Sequence, residues 1–396
     1  MRIATANRYE AAVDSLQRRQ RDMAEANTQM TNGKRINRPS DDPTGAARAE
    51  RAAIVQLRIT SEQRSMQASR SAMTLAESAL GQAGDVLQDA RETLATAGNG
   101  SYGVAERASL AAQLAQYRGQ LMTLANQGNG ADGFLFGGQG NTATPFVDTL
   151  TGVRADAAGG QSQLSSTEPM PATVDGRAIW LGARSGNGVF VTSASATNTG
   201  NGWIGAGSTG LPQVSDRYAI TFVKDAGNLS YSVEKNGAAT ALSGVPYRPG
   251  TAILIDGLSV TVKGVPADGD NFSLNPSTAD LSPFAALDAA IATLGDATAN
   301  AGQAAQAVNS GLRDLDAVMG HLQAARSEAG SALKRLDTID GRNQDRALWA
   351  KSVQADAEDV DMLQAISTFQ NQQTGYQAAL QSYAMVQRMS LFDYVK

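Results

Sequence analysis

Cysteine is absent from the 396 residues. Disulfides, thiolate metal sites and cysteine nucleophiles are therefore excluded together. Histidine occurs once, at position 321. A Ser-His-Asp triad could draw only on that residue, and no G-x-S-x-G elbow accompanies it. His321 falls between Met319 and Leu322 in a helical apolar rhythm, so a place on a helix surface or seam edge is expected. No H-E-x-x-H exists for a zinc peptidase, and no Walker-type loop for a nucleotide. Aromatics make up only 5% of the chain, and much of the apolar content is alanine, which suits closely packed helices. No run of about 18 apolar residues is present to span a membrane. The opening Met1-Arg2-Ile3-Ala4-Thr5 leads into polar sequence without the apolar core of a secretory signal. Any export is thus expected to proceed without a cleaved signal peptide. The net charge of -5 excludes nucleic-acid binding by overall electrostatics.

Two motif-like stretches are weak. Gly205-Ala206-Gly207-Ser208-Thr209-Gly210 fits G-x-G-x-x-G, but Leu211-Pro212 follows where a dinucleotide site needs a helix, so it reads as a loop. Asp268-Gly269-Asp270-Asn271 lacks the remainder of a calcium loop and reads as a turn before a strand at Phe272. The first 40 residues hold eight Lys/Arg against four Asp/Glu. Arg18, Arg19 and Arg21 lie beside an apolar seam, so this excess reads as a solvated or subunit-contacting helix face. No catalytic, metal-binding or cofactor-binding residue is expected, no cofactor, and neither nucleic acid nor a membrane as partner.

Composition changes near residues 140 and 281. The outer zones are rich in Ala, Gln, Arg, Leu and Met and carry heptads. Tyr9, Leu16, Met23 and Met30 predict a first helix, stopped at Asn32-Gly33. A second helix from near Thr44 carries Ala52, Ile59, Met66, Met73, Leu80, Leu87 and Leu94, with Ala76, Ala83, Ala90 and Ala97 as companions, and ends at Gly98-Asn99-Gly100. A Leu/Ala seam of this kind lets two helices approach closely. Leu110, Leu114, Tyr117, Leu121 and Leu124 predict a third. From Phe284 to Leu336 one rhythm runs on, interrupted at Thr298 and Arg326, and predicts a single helix over 284–338. A last helix carries Val360, Leu363, Ile366, Phe369, Tyr376, Leu380, Tyr383 and Met389.

The stretches 45–98 and 284–338 match in length, each about 80 Å at 1.5 Å per residue, and are expected to pack antiparallel as a coiled-coil rod. Between them, 141–280 reads as β. Arg217-Tyr218-Ala219-Ile220-Thr221-Phe222-Val223 alternates, and 252–255 and 258–262 flank Asp256-Gly257, a hairpin signal. The expected fold class is α+β, with an antiparallel β domain inserted in an antiparallel helical rod. The expected segments are a terminal helix and loop at 1–40, rod helices at 41–140, the insert at 141–280, a rod helix at 281–340 and a terminal helix at 341–396.

Gly33-Lys34-Arg35-Ile36-Asn37-Arg38-Pro39-Ser40-Asp41-Asp42-Pro43, followed by Thr44-Gly45-Ala46-Ala47-Arg48-Ala49, resembles the loop after the first helix in flagellins and hook-associated proteins. Three further stretches agree: Glu77-Ser78-Ala79-Leu80-Gly81-Gln82, Gly133-Phe134-Leu135-Phe136-Gly137-Gly138 with Pro145-Phe146, and an end running from Gln372-Gln373 through Tyr376 to Ser390-Leu391-Phe392-Asp393-Tyr394. The two prolines of the loop and the terminal stretch resemble the junction-type members rather than filament flagellin. Val395-Lys396 departs from the apolar ending usual in the family. The resemblance covers 1–146 and about 281–396.

It implies a structural, non-enzymatic subunit of the bacterial flagellum between hook and filament. The implied location is extracellular, reached by type III export. The implied partners are further copies in a helical layer, hook-associated protein 1 below, flagellin above, and an export chaperone at the C-terminal helix. Tyr9, Leu16, Met23, Phe369, Tyr376, Leu380 and Tyr383 are the candidates for packing between subunits. Two other readings stay open, filament flagellin and a flagellin-like rod displaying a glycan- or host-binding β domain.

Overall fold

A computed structural model describes residues 2–130, 133–139, 143–156, 158–164 and 168–392, with side chains described from 9 to 385. Asp393, Tyr394, Val395 and Lys396 of the terminal stretch lie outside the described residues, and the side chain of Met389 is likewise not described. Long helical regions at both ends enclose, in sequence, an antiparallel β domain. The chain forms two compact units, Met1–Arg64 with Ile339–Lys396, and Ser65–Thr338.

The helices are α1 (Arg2–Asn32), α2 (Pro43–Ala97), α3 (Val104–Ala125), α4 (Gly176–Leu181), α5 (Pro283–Gly295), α6 (Ala301–Glu358) and α7 (Met362–Phe392). In the first unit α1 lies against α7. Gly33 ends α1 with φ +69°, a conformation that costs glycine little. Asp361 starts α7, its Oδ1 accepting from the backbone N–H of Leu363 at 3.0 Å and of Gln364 at 3.2 Å.

In the second unit the predicted seam is present. Met66, Met73, Leu80, Leu87 and Leu94 of α2 are buried with Ala76, Ala83, Ala90 and Ala97, as are Leu315, Leu322, Ala329 and Leu336 of α6. The two helices run antiparallel, because partner numbers fall on α6 as they rise on α2. Arg70 meets Asp337 at 2.7 Å, Glu77 meets Arg326 at 2.7 Å and Arg91 meets Asp316 at 2.6 Å. Arg326, an interruption in the apolar rhythm, lies over Gly81, where an added Cβ would stand 3.3 Å from its Cζ. The missing side chain at Gly81 thus makes room for the guanidinium.

One helix was expected over 284–338, and two are found. The Asp296 carboxylate accepts from the Thr298 N–H at 2.8 Å and turns the chain. A new start follows, with Asn300 Oδ1 accepting from Gln303 N at 2.8 Å and Gln303 Oε1 accepting from Asn300 N at 3.0 Å. This reciprocal cap outweighs continuation of the helix. The short α5 packs on α3, and α6 runs past residue 340 to Glu358 before the chain breaks again at 359–361. Val360 therefore precedes the last helix rather than lying in it.

The strands are β1 (Phe146–Thr149), β2 (Gly152–Ala155), β3 (Phe190–Ala194), β4 (Trp203–Ile204), β5 (Ser208–Thr209), β6 (Tyr218–Asp225), β7 (Asn228–Lys235), β8 (Ala238–Ala239), β9 (Val245–Pro246), β10 (Ala252–Ile255), β11 (Leu258–Lys263) and β12 (Asn271–Pro276). Three antiparallel groups result: β1-β2; β10-β11-β4 with β5 also on β11; and β3-β12-β6-β7-β8 with β9 also on β7. Asp256 and Gly257 take φ +48° and +84° between β10 and β11, the left-handed pair that a two-residue hairpin needs. The stretch 205–210 is not wholly a loop, since Ser208 and Thr209 pair with Ser259 and Leu258.

Phe190, Ile220, Phe222, Val233, Val260, Val262, Phe272 and Leu274 fill a core within the β domain. A second core joins the helical seam to Phe136, Phe146, Trp180 and Phe284. There Trp180 stacks on Phe284 at 6.0 Å and meets Phe136 edge-on at 5.5 Å. The β domain is fixed to α6 by Gln306, whose Oε1 accepts from Ile204 N at 2.8 Å while its Nε2 donates to Ile204 O at 3.3 Å. Gly302 permits this approach, because a Cβ there would stand 2.6 Å from the Gly200 carbonyl oxygen. Gln306→Leu leaves both Ile204 backbone groups buried and unpaired. It should cost about 1–3 kcal/mol of stability, read as an earlier urea transition; an unchanged transition would show that the latch contributes nothing.

Candidate assembly surface

The first unit carries the residues for which packing between subunits was expected. Its framework is the turn from α1 into α2. The Arg35 N–H donates to Glu358 O at 2.6 Å, and the Val360 N–H donates to Gly33 O at 3.0 Å. Lys34 Nζ meets Glu358 Oε1 at 2.9 Å, and Arg35 Nη2 donates to Ala357 O at 2.7 Å. The loop is thereby hydrogen-bonded onto the α6–α7 break. Asp41 Oδ2 accepts from the N–H groups of Asn37 at 3.1 Å and Arg38 at 2.8 Å, which closes the turn around Pro39 and Ser40. Asp42 caps α2, accepting at Oδ1 from Gly45 N at 2.9 Å and Thr44 Oγ1 at 2.8 Å. Pro43 occupies the first helical turn, where its missing N–H costs nothing. Gly45 is required by crowding, since a Cβ would stand 2.6 Å from both Asp42 Oδ2 and the Ile36 side chain. Gly33, Lys34, Arg35, Asn37, Pro39, Ser40, Asp41, Asp42 and Pro43 thus form one turn on the helix break.

Tyr9 and Tyr383 meet across α1 and α7, the Tyr383 hydroxyl donating to the Tyr9 hydroxyl at 2.6 Å with ring centroids 5.6 Å apart. That bond holds the Tyr383 phenol above its ordinary range. Leu16 and Tyr383 line a groove of about 410 Å³ with Ala12, Arg19, Gly375 and Ala379. Arg19 crosses Gly375, where a Cβ would stand 2.5 Å from its Nη1. Met23, Phe369 and Tyr376 are half-buried, and Leu380 is 41% exposed. The structure therefore brings Leu16 and Tyr383 to one groove, sets Tyr9 against Tyr383, and leaves Tyr9 and Leu380 partly exposed. It adds Met362, Leu363, Ile366 and Met385, all exposed on α7, with Leu363 at 83%. Leu363 and Ile366 belong to the predicted rhythm. Periodicity marks an apolar face without saying whether the same chain covers it.

The residues weighed for chemistry have structural places. His321 Nε2 lies 2.9 Å from Ala178 O, so that nitrogen carries the proton and ties α6 to α4. The Asp270 carboxylate is buried and accepts from the N–H groups of Thr199 at 2.8 Å and Ala267 at 2.8 Å. Among the described residues no group of three or more His, Asp or Glu is placed to hold a metal, and no helix is long and apolar enough to cross a membrane.

The Asp42 carboxyl is held at about 2, below its ordinary 3.8, first by the Gly45 N–H, then by the Thr44 hydroxyl and by Arg35. Its folded value is depressed, so its contribution is complete above about pH 4 and is lost as pH falls toward 2. Protection of the Gly45 and Ala46 amides, taken as exchange relative to the intrinsic rate at each pH, should fall through that window. Asp42→Ala should show the lower protection already at neutral pH. A protection factor in the parent chain that stays constant from about pH 4 to about pH 2 would contradict the cap.

Residues 3–141 match the bacterial flagellin N-terminal helical region. Over 393 residues the chain is 27% identical to flagellar hook-associated protein 3 of Salmonella typhimurium, covering 99% of each. With the Escherichia coli protein of the same name it is 25% identical over 400 residues, covering all of each. The crystal structure of the flagellar junction protein FlgL from Legionella pneumophila superposes with a TM-score of 0.68 at 28% identity, spanning 79% of this chain and 100% of that one. The chain is thus similar along its whole length to proteins named hook-associated protein 3, and over residues 3–141 to the flagellin N-terminal helical region.

Proposed function

We propose that this chain is the structural subunit that joins hook to filament in the bacterial flagellum, working outside the cell. The observation that carries the reading is the apolar face of α7, where Met362, Leu363, Ile366, Leu380 and Met385 remain exposed beside the α1 contact. Exposed apolar surface of this extent on one helix marks a site of association. The end-to-end match to hook-associated protein 3 relatives favours the junction over the filament.

Assembly follows from the same face. Further copies stack in a helical layer by heterologous contacts, because one patch meeting a different patch repeats without closing. Tyr9, Leu16, Met23, Phe369, Tyr376, Leu380 and Tyr383 pack at these contacts. Before stacking, the terminal helices α1 and α7 are largely disordered in the lone chain and fold when subunits stack, where burial between neighbours offsets the ordering entropy. The partners above and below are flagellin and hook-associated protein 1. A chaperone covers the apolar face of α7 before type III export.

The test is deletion of the gene, with flagella viewed by electron microscopy and the medium assayed for flagellin. Bare hooks with abundant flagellin outside the cell are expected; normal filaments would overturn the proposal. Complementation with Leu380→Glu should leave hooks bare although the second unit folds normally.

A further inference from the structure

Asparagine followed by glycine is self-reactive. The glycine nitrogen, once it loses its proton, attacks the side-chain Cγ of the neighbouring asparagine, and glycine has no side chain to obstruct the approach. A C–N bond forms, the side-chain nitrogen leaves as ammonia, and a succinimide ring results. Water then opens the ring at either carbonyl and gives aspartate or isoaspartate. Water is the only co-reactant, and nothing is oxidised or reduced. Ring closure needs rotation of the side chain and of the glycine peptide, so a contact that pins either one slows it. The sequence holds six such pairs, beginning at Asn32, Asn99, Asn129, Asn187, Asn201 and Asn236.

Five of the six are pinned. Asn32 is the last residue of α1, and its Nδ2 donates to Asn37 Oδ1 at 3.2 Å. Asn129 is closed onto Gly133, its N–H donating to Gly133 O at 2.9 Å and its Oδ1 accepting from Gly133 N at 3.2 Å. At Asn187 the attacking nitrogen is engaged, since the Gly188 N–H donates to Ser185 O at 3.3 Å. At Asn201 the following Gly202 is buried against Pro266, whose ring would stand 2.7 Å from an added Cβ. At Asn236 both ends of the amide are held, Oδ1 accepting from Arg217 N at 2.9 Å and Nδ2 donating to Asp216 Oδ1 at 2.9 Å.

Asn99-Gly100 differs. Both residues are exposed in the turn between α2 and α3. Nothing lies within 4 Å of the place a Gly100 Cβ would take. The Tyr102 N–H donates to Asn99 O at 3.1 Å and closes the turn, while the Gly100 N–H has no acceptor among the described residues. Asn99 Nδ2 likewise donates to no described residue, so the leaving group is unheld. Only Oδ1 is engaged, accepting from Ser101 N at 3.1 Å and Ser101 Oγ at 2.9 Å. Those donors belong to the same turn and move with it. This oxygen gains negative charge as nitrogen attacks Cγ, and donors already aimed at it stabilise that charge.

We propose that Asn99 is a self-modification site, converted through a succinimide with the Gly100 nitrogen to aspartate and isoaspartate. The conversion adds a negative charge just beyond the last carbonyls of α2, where negative charge is disfavoured. Isoaspartate also lengthens the main chain by a methylene. The turn between α2 and α3 therefore changes with the age of the subunit, whatever the subunit's place in an assembly.

The full-length chain, held in mildly alkaline buffer and sampled over time, is digested with trypsin and read by mass spectrometry. Cleavage after Arg91 and Arg107 releases 92–107, in which Asn99 is the only side-chain amide. That peptide is expected to gain one mass unit and to separate into aspartate and isoaspartate forms, ahead of the peptides that carry the other five pairs. Gly100→Ala, which the open surroundings admit, should suppress the conversion by shielding the nitrogen, and Ser101→Ala should slow it by removing one donor. In urea that unfolds the chain, Asn99 should lose its lead. No conversion of 92–107, another Asn-Gly pair converting first in the folded chain, or a lead of Asn99 that persists in urea would overturn the proposal.

Discussion

Burial of apolar side chains between helices with small residues at their contacts is the interaction on which the rest of the structure depends. In the second unit the seam residues of α2 and α6 are buried. Alanines at 76, 83, 90 and 97 are buried beside Leu80, Leu87 and Leu94, shielded from water. In the first unit burial is incomplete, since helices of the same character keep Leu57, Leu348, Trp349 and Leu363 largely in solvent. A unit that leaves large apolar side chains in solvent is suited to a place among neighbours.

The hydrogen-bonded turns decide where that open surface is presented. The turn at 33–45 is locked to the α6–α7 break by backbone bonds and by Lys34 and Arg35, neither of which contributes apolar area. Its contribution is direction: α1 is returned against α7, and α2 starts at a fixed cap. In the second unit Gln306 and Gly302 perform the corresponding task, one by satisfying the Ile204 backbone and the other by admitting close approach. Trp180 and its aromatic neighbours fill the space where the helices meet the start of the β region.

Much of this was legible in the sequence because it is periodic. The heptads from Ala52 to Leu94 located α2 and its buried face, Asn32-Gly33 located the end of α1, and Asp256-Gly257 located a hairpin. The division of 284–338 into two helices was not legible from periodicity, since α5 and α6 each keep a 3-4 rhythm. Asp296 and the reciprocal Asn300–Gln303 cap decide it, and polar caps do not alter an apolar count. The loop at 33–43 was recognisable as a pattern, yet its docking on 357–360 joins residues more than 300 positions apart and leaves no local signal. Exposure was the least legible property. Leu57 and Ile59 are both aliphatic and two positions apart, and only the fold shows that one is open and the other closed.

The central claim is that the apolar face of α7 is covered by neighbouring subunits. Hydrogen exchange of α7 amides, followed by mass spectrometry in the dilute chain and in flagella sheared from cells, tests it most directly. The account predicts rapid exchange over 362–385 in the dilute chain and strong protection in the flagellum, with α2 between 66 and 94 protected in both. Equal protection of α7 in the two samples would contradict it.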